Sequence, residues 1–303
     1  MFRKIRRYID NPYYALGYDM IKKCPHLMPD KFYISVLWKM VMGYELDWEH
    51  PKTYNEKLQW LKLHDRNPLY TTMVDKYRAK QWVADKIGKQ YVIPTLAVYN
   101  SVDEINLDEL PDQFVLKCNH DSGSVVICKD KASFDLDAAK CKLGAAMKKN
   151  FYWEAREWPY KNVKRCVFAE AYLDGFNKEG LPDYKFFTFN GEPKFLYITS
   201  GRESADGLKE DFFDLEGNHL PFNQEGFVNA SQTPSLPSNF EKMIEFSRTL
   251  AKGTTHLRVD FFEINQDLYQ GELTFFDGGG FSPFYPNEWN RITGDWVVLP
   301  TDK

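Results

Sequence analysis

Residues 258–274, Arg258-Val-Asp-Phe-Phe-Glu-Ile-Asn-Gln-Asp-Leu-Tyr-Gln-Gly-Glu-Leu-Thr274, decide the fold. Val259, Phe261 and Ile264, then Tyr269, Leu273 and Phe275, supply β-branched and aromatic strand formers, and Asn265-Gln-Asp267 supplies a reversal. The expectation is an antiparallel hairpin that brings Asp260 and Glu272 together near the strand ends. Two carboxylates so placed repel unless a cation sits between them, and hard oxygen ligands with room for phosphates suit Mg2+. Arg258 precedes Asp260 by two residues and so shares its face, a fixed positive charge beside the metal. The alternative is a pair of ordinary strand-end charges on a solvated face.

The remaining chain sets the context. With 303 residues, 43% hydrophobic and 27% charged, it can bury a substantial core as a globular protein of one or two domains. A net charge of -4 leaves no general footprint for nucleic acid. Cys24, Cys118, Cys128, Cys141 and Cys166 show neither CxxC nor Cys/His spacing, which excludes a zinc motif or disulfide framework and suits a reducing cytoplasm. The basic start, Met1-Phe-Arg-Lys-Ile-Arg-Arg-Tyr-Ile9, lacks the apolar core of an export signal and would give at most weak contact with an anionic membrane surface. No run is long enough to span a bilayer.

Residues 1–90 are expected to form a helical N-terminal region. Lys31–Tyr44 has helical periodicity and stops at Gly43, Thr53-Tyr-Asn-Glu56 is a capping box, and a third helix is expected from about Thr71 to Ile87. Asp75, Lys76 and Lys80 fall on it as a solvated face. Strands then follow at Val92–Tyr99 and in a hairpin over Phe114–Ile127. Lys117 lies at the end of an apolar strand, where an ammonium needs an anionic partner. The turn Ser122-Gly123-Ser124 could bring backbone N–H groups to phosphate oxygens, although no GxxxxGK[ST] is present. A helix over 133–150, a strand over Cys166–Leu173, a hairpin at Asn190-Gly191 and a helix over Asn239–Lys252 complete the pattern.

Taken in order, these motifs resemble the ATP-grasp superfamily, and from Pro51 to Pro300 the chain looks like its TupA-like branch, associated with teichuronopeptide and surface-polysaccharide biosynthesis. Thr53–Pro68 and Val74-Asp-Lys-Tyr77 carry that branch's characteristic first part. The resemblance implies an α+β ATP-grasp fold, two lobes clamping ATP between antiparallel sheets: one lobe over 91–165 with the phosphate-loop hairpin, the other over 166–303 with the adenine hinge and Mg2+ site. It implies that Lys76, Lys117, Ser122, Gly123 and Ser124 meet phosphates and that Phe168–Leu173, with Glu170, Tyr172 and Leu173, reads adenine. Asp183 would hold the ribose, with Lys185 facing the same way. Asp260, Glu272 and Thr274 would hold Mg2+, and Arg258 would stabilise the developing anion. Thr274 stands where the family's Glu-x-Asn signature has Asn, which weakens the case for a second metal ion.

The activity so implied is ATP-dependent joining of a carboxylate to an amine through an acyl phosphate, the acid a uronic acid of a surface polysaccharide or its precursor and the amine an amino acid. A sugar or polyol kinase and a glycosyltransferase are the alternatives. The turn Asp277-Gly-Gly-Gly-Phe281 has two readings: Gly279 and its neighbours direct free N–H groups at the reacting centre beside Arg258, or the glycines serve positive φ alone.

Overall fold

The computed structural model describes residues 25–173, 181–201 and 207–300. The basic N-terminal segment and Cys24 lie outside the described residues. The helical region expected over 1–90 and the lobe expected over 166–303 also fall partly outside them, whereas the hinge Phe168–Leu173 lies within.

Helix α1 (Asp30–Met42) closes on Gly43, whose left-handed φ of 87° lets its N–H reach the Lys39 carbonyl. Helix α2 (Tyr54–His64) begins with the expected capping box: Thr53 accepts from the Glu56 N–H, and the Glu56 carboxylate accepts from the Thr53 N–H at 2.9 Å. The third expected helix is two, α3 (Leu69–Val74) and α4 (Ala79–Ile87). Asp75 interrupts it with extended backbone, its carboxylate accepting from the Tyr77 and Arg78 N–H groups. A side chain that satisfies backbone donors locally competes with the helix ladder. The break frees the Lys76 N–H to bond the Asn119 carbonyl and turns Lys76 out of a solvated helix face.

Two antiparallel sheets follow. The first has the order β1 (Thr95–Tyr99), β4 (Val167–Ala171), β2 (Phe114–Cys118), β3 (Val125–Cys128). Around it lies its own small core of Tyr99, Phe114, Leu116, Leu143 and Val167, with helix α5 (Leu136–Met147) supplying Leu143. The second sheet has the order β10 (Asp267–Thr274), β9 (His256–Ile264), β5 (Tyr184–Phe189), β6 (Glu192–Ser200), β7 (Lys209–Asp214), and the two-residue β8 (Asn223–Gln224) lies outside it. Separate cores under separate sheets give the two-lobed α+β architecture. The boundary expected at residue 165/166 falls short of β4, which pairs with both β1 and β2; the first sheet therefore extends to Ala171. Nor is the helical N-terminal region a separate unit, because Tyr54, Leu58 and Leu61 of α2 and Tyr70 of α3 join the core of the second sheet.

Register divides one face of the five-stranded sheet into two halves. Lys185 pairs with Asp260 and with Tyr197, and Phe187 with Arg258 and Phe195. Side chains two apart share a face, so the aromatic end (Phe187, Phe189, Phe195) and the charged end (Asp183, Lys185, Asp260) occupy the same surface. Tyr54 of α2 packs on Phe187 and Phe189 and closes the aromatic end. Helix α6 (Phe240–Ala251) covers the opposite face, where Phe240 meets Phe186. The charged end is left facing the first lobe.

Candidate active site

Three cations and one carboxylate gather at the edge of the first sheet: Lys117 and Glu170 from the sheet itself, Lys80 from α4 and Lys76 from the break before it. Glu170 on β4 stands in register with Val115 of β2, and its buried carboxylate is bonded to both Lys117 and Lys80. Burial alone would raise the Glu170 pKa, but Lys117 and Lys80 outweigh it and hold the carboxyl below its ordinary value. Lys80 is shifted downward, because the cost of burying its ammonium exceeds what Glu170 returns. Lys80 was legible only as a polar residue on a helix. With the helix broken at Asp75, it begins a new one beside Lys117, and an i, i+4 reading from Lys76 could not show this.

Lys76 occupies a different position. Its ammonium donates to Glu272 at 2.7 Å and to the Asp121 carbonyl, tying the small-residue loop to the second lobe. The loop's stem is anchored: Asn119 is fully buried, donates to the Lys164 carbonyl at 3.0 Å and accepts from the Cys166 N–H at 2.8 Å. Ser124 donates to the Asp121 carboxylate. Ser122 and Gly123 form the exposed tip, and Gly123 takes a φ of 94° with open space where a Cβ would stand.

The second lobe presents the hairpin as the sequence led one to expect. Leu273 pairs with Val259 and Thr274 with Arg258, and an irregularity between Gln270 and Leu273 leaves Gly271 and Glu272 together against Asp260. Asp260 is almost fully buried and accepts from Arg258 through Nε at 2.7 Å and Nη2 at 2.8 Å, and from Lys185. Burial pushes its pKa up, yet Arg258 and Lys185 prevail and leave the carboxyl ionised below its ordinary range. Glu272, partly exposed, is held down in the same way, chiefly by Lys76, against burial and the repulsion of Asp260. Thr274 accepts from Arg258 at 3.1 Å. Asp183 lies 3.4 Å from the Lys185 ammonium, which joins it to the same network. Tyr172 and Leu173 sit just beyond β4, half-buried.

The glycine turn differs from the expectation of free amides. Gly278, Gly279 and Gly280 all adopt left-handed φ, from 55° to 73°. The Gly279 N–H donates to the Phe276 carbonyl at 2.8 Å and so does not face a reacting centre. Its carbonyl accepts from Lys62 at 2.6 Å and from Gln59 at 3.3 Å, both on α2. A Cβ on Gly280 would stand 2.5 Å from Gln59 Nε2. The turn is a close-packed support, and its chemistry lies in Asp277, which accepts from both Arg258 and Gln224. Lys62 is itself fully buried, and burial lowers its pKa while raising that of the neighbouring Glu157.

Between the lobes, a cleft is lined by Lys76, Lys80, Glu170, Gln270 and Glu272. Among the described residues the buried Gln270 Nε2 there has no hydrogen-bond partner, a donor open to a ligand acceptor. Lys80 and Lys117 converge on the Glu170 carboxylate, and Glu272 lines the cleft with Lys80. Mg2+ is commonly held by one or two carboxylates plus the phosphates of a nucleotide, so two carboxylates suffice. Among the described residues no cluster of three or more His, Cys, Asp or Glu could hold a metal by itself.

A family model described as TupA-like ATPgrasp matches residues 56–298. The chain belongs to that family. As a TupA-like ATP-grasp protein it carries, around its cleft, lysines and carboxylates that fit ATP and Mg2+. No curated protein matches the chain in sequence. Similar solved structures include D-alanine–D-alanine ligase from Helicobacter pylori, 16% identical with a TM-score of 0.42, over 81% of this chain and 69% of that one. The enzyme of the same name from Bacillus anthracis, complexed with ATP, is 16% identical with a TM-score of 0.38, over 67% of this chain and 54% of that one. D-cycloserine synthetase is 14% identical with a TM-score of 0.42, over 76% and 71%. The chain thus spans about half the length of the Bacillus ligase it matches. Among the described residues no helix is long and apolar enough to cross a membrane.

Proposed function

We propose that this TupA-like ATP-grasp protein joins a carboxylate to an amine. The observation that carries the reading is the meeting of two charge sets at one cleft: Lys80 and Glu170, with Lys117 bonded to the same Glu170, on one side, and Glu272, which belongs to the hairpin bearing the Asp260–Arg258–Lys185 network, on the other. No resident nucleophile is needed, because fixed charges that position phosphates and neutralise a developing anion are what phosphoryl transfer asks of a protein. Lys80 and Lys117 hold phosphate oxygens, exchanging Glu170 for them in part. Asp260 and Glu272 hold Mg2+, which when bound supplies charge neutralisation between the phosphates and these carboxylates. Arg258 and Lys185 steady the transferred group. The acid's oxygen displaces ADP from the γ-phosphorus to give an acyl phosphate, and the amine nitrogen then displaces phosphate.

The acid we propose is a uronic acid of a bacterial surface polysaccharide or of its precursor, and the amine an amino acid; the TupA-like character of residues 56–298 supports this pairing. The adenine, ribose and phosphate roles of Tyr172, Leu173, Asp183, Ser122, Gly123 and Ser124 belong to the same proposal. The experiment is incubation with ATP, Mg2+, glucuronate and hydroxylamine, which traps an acyl phosphate as the hydroxamate. ADP with hydroxamate supports the ligase. ADP with a phosphorylated sugar hydroxyl would replace it with a kinase, and release of neither product would end it.

A further inference from the structure

Glu210 on β7 has no part in the chemistry above. It stands opposite Thr199 on β6, and Thr199 donates its N–H to the Asp183 carbonyl on β5. Counting by twos along β5, β6 and β7, Glu210 shares a face with Asp183, Lys185, Tyr197 and Asp260. It therefore belongs to the charged end of that face, two strands and roughly 10 Å from Lys185. The residue is 3% exposed, and among the described residues its buried Oε2 has no hydrogen-bond partner.

A buried carboxyl oxygen without a donor is costly, and most such groups in native proteins find one. The charged groups that face Glu210 are Asp277, Arg258 and Lys185, with Tyr197 beside them. The cations among these are already engaged. Arg258 bonds Asp260, Asp277 and Thr274, while Lys185 bonds Asp260 and lies beside Asp183. Among the described residues no donor reaches Glu210 Oε2, and the ammonium group of a ligand would supply one while favouring the ionised form of the carboxyl. The carboxylates proposed for the metal lie on β9 and β10, so in strand order Glu210 stands on the opposite side of Lys185 from them.

We propose that Glu210 holds the ammonium of the amine substrate and takes its proton. This rests on the ligase reading. The proton passes from nitrogen to the Glu210 carboxylate, and the freed lone pair forms the C–N bond to the acyl carbon. The C–O bond to phosphate breaks, phosphate leaves with that electron pair and collects the second nitrogen proton, and Glu210 returns its proton to solvent as product departs.

Two nucleophiles separate this role from the rest of the site. Hydroxylamine is already neutral near neutral pH and needs no base, whereas amino acids enter as ammonium ions. The full chain is supplied with ATP, Mg2+, glucuronate and either hydroxylamine or a mixture of L-amino acids. For Glu210→Gln the expected result is hydroxamate formation within about twofold of wild type and amide formation reduced about a hundredfold, the scale of a lost general base. Glu210→Asp, which keeps the charge, should recover part of the amide rate, and it carries the same comparison if the Gln variant does not fold. Parallel loss of both products, or no change in either, would overturn the proposal. Wild-type protein that forms neither hydroxamate nor ADP would instead bring down the ligase reading, and the role of Glu210 with it.

Discussion

Replacing Glu170 by Gln tests whether the first lobe's lysines are built for phosphate. Glu170 is 5% exposed and neutralises two ammonium groups at once, Lys80 and Lys117, which are themselves 15% and 25% exposed. Charge-assisted hydrogen bonds contribute about 1.5 to 3 kcal/mol each. The partial exposure of both lysines and the amide's remaining capacity to accept reduce the sum, so a loss of about 2 to 4 kcal/mol is expected. At roughly 2 °C per kcal/mol for a chain of this size, the melting temperature should fall by about 4 to 8 °C. The pH dependence has a definite sign. The folded-state pKa of Glu170 lies below its ordinary value of 4.5, so its stabilisation is present above that value and disappears as pH falls through the folded pKa. Wild type should thus lose stability on acidification more steeply than the variant. The decisive arm is thermal unfolding with and without ATP and Mg2+. Triphosphate oxygens can replace the missing carboxylate, and at a hundredfold excess over Kd a ligand adds about 2.7 kcal/mol. The stabilisation by ATP should be at least as large in Glu170→Gln as in wild type. Should the variant be destabilised as calculated yet gain nothing from ATP, the Lys80–Glu170–Lys117 cluster is architecture and the nucleotide assignment of this cleft is wrong.

Arg258→Lys keeps the charge but loses the fork that spans Asp260, Asp277 and Thr274; steady-state kinetics should show kcat reduced about a hundredfold or more with ATP affinity nearly intact. The two metal carboxylates should separate in denaturant titrations. Asp260→Asn removes the partner of two buried cations and should cost about 3 kcal/mol, whereas the partly exposed Glu272→Gln should cost about 1 kcal/mol or less, while each abolishes Mg2+-dependent turnover. Burial, reinforced by Asp277 and opposed by Arg258 and Lys185, pushes the Glu210 carboxyl up to about 8. Its contribution to stability is therefore full below 4.5 and lost as pH rises through about 8; unfolding measured across that window should show Glu210→Gln with the flatter profile.

What the sequence by itself determined was local pattern and motif order. Val259, Phe261 and Leu273 announce strands through their residue types, the Thr53–Glu56 box announces a helix start, and Asn190-Gly191 announces a turn whose φ values of 51° and 86° the structure bears out. Arg258 and Asp260 share a face because strand side chains alternate, so that juxtaposition was legible at two-residue range. The pairing of Asp260 with Glu272 followed from a hairpin, a short-range reversal.

Tertiary structure decided everything that depends on a partner distant in sequence. The Asp75 break is local in chemistry, but its consequence is not: it sends Lys76 to Glu272 and leaves Lys80 to Glu170, partners 196 residues away in the first case. Asp277 looked like the start of a glycine turn until Arg258 and Gln224 were found on it. Glu210 carried no motif at all, since only the order β9-β5-β6-β7 brings an edge-strand carboxyl onto the face that bears Lys185 and Asp260. Periodicity reports which side of an element is buried, but which charges meet there depends on strand order and helix placement. Those are set by the whole core, and no window of sequence contains them.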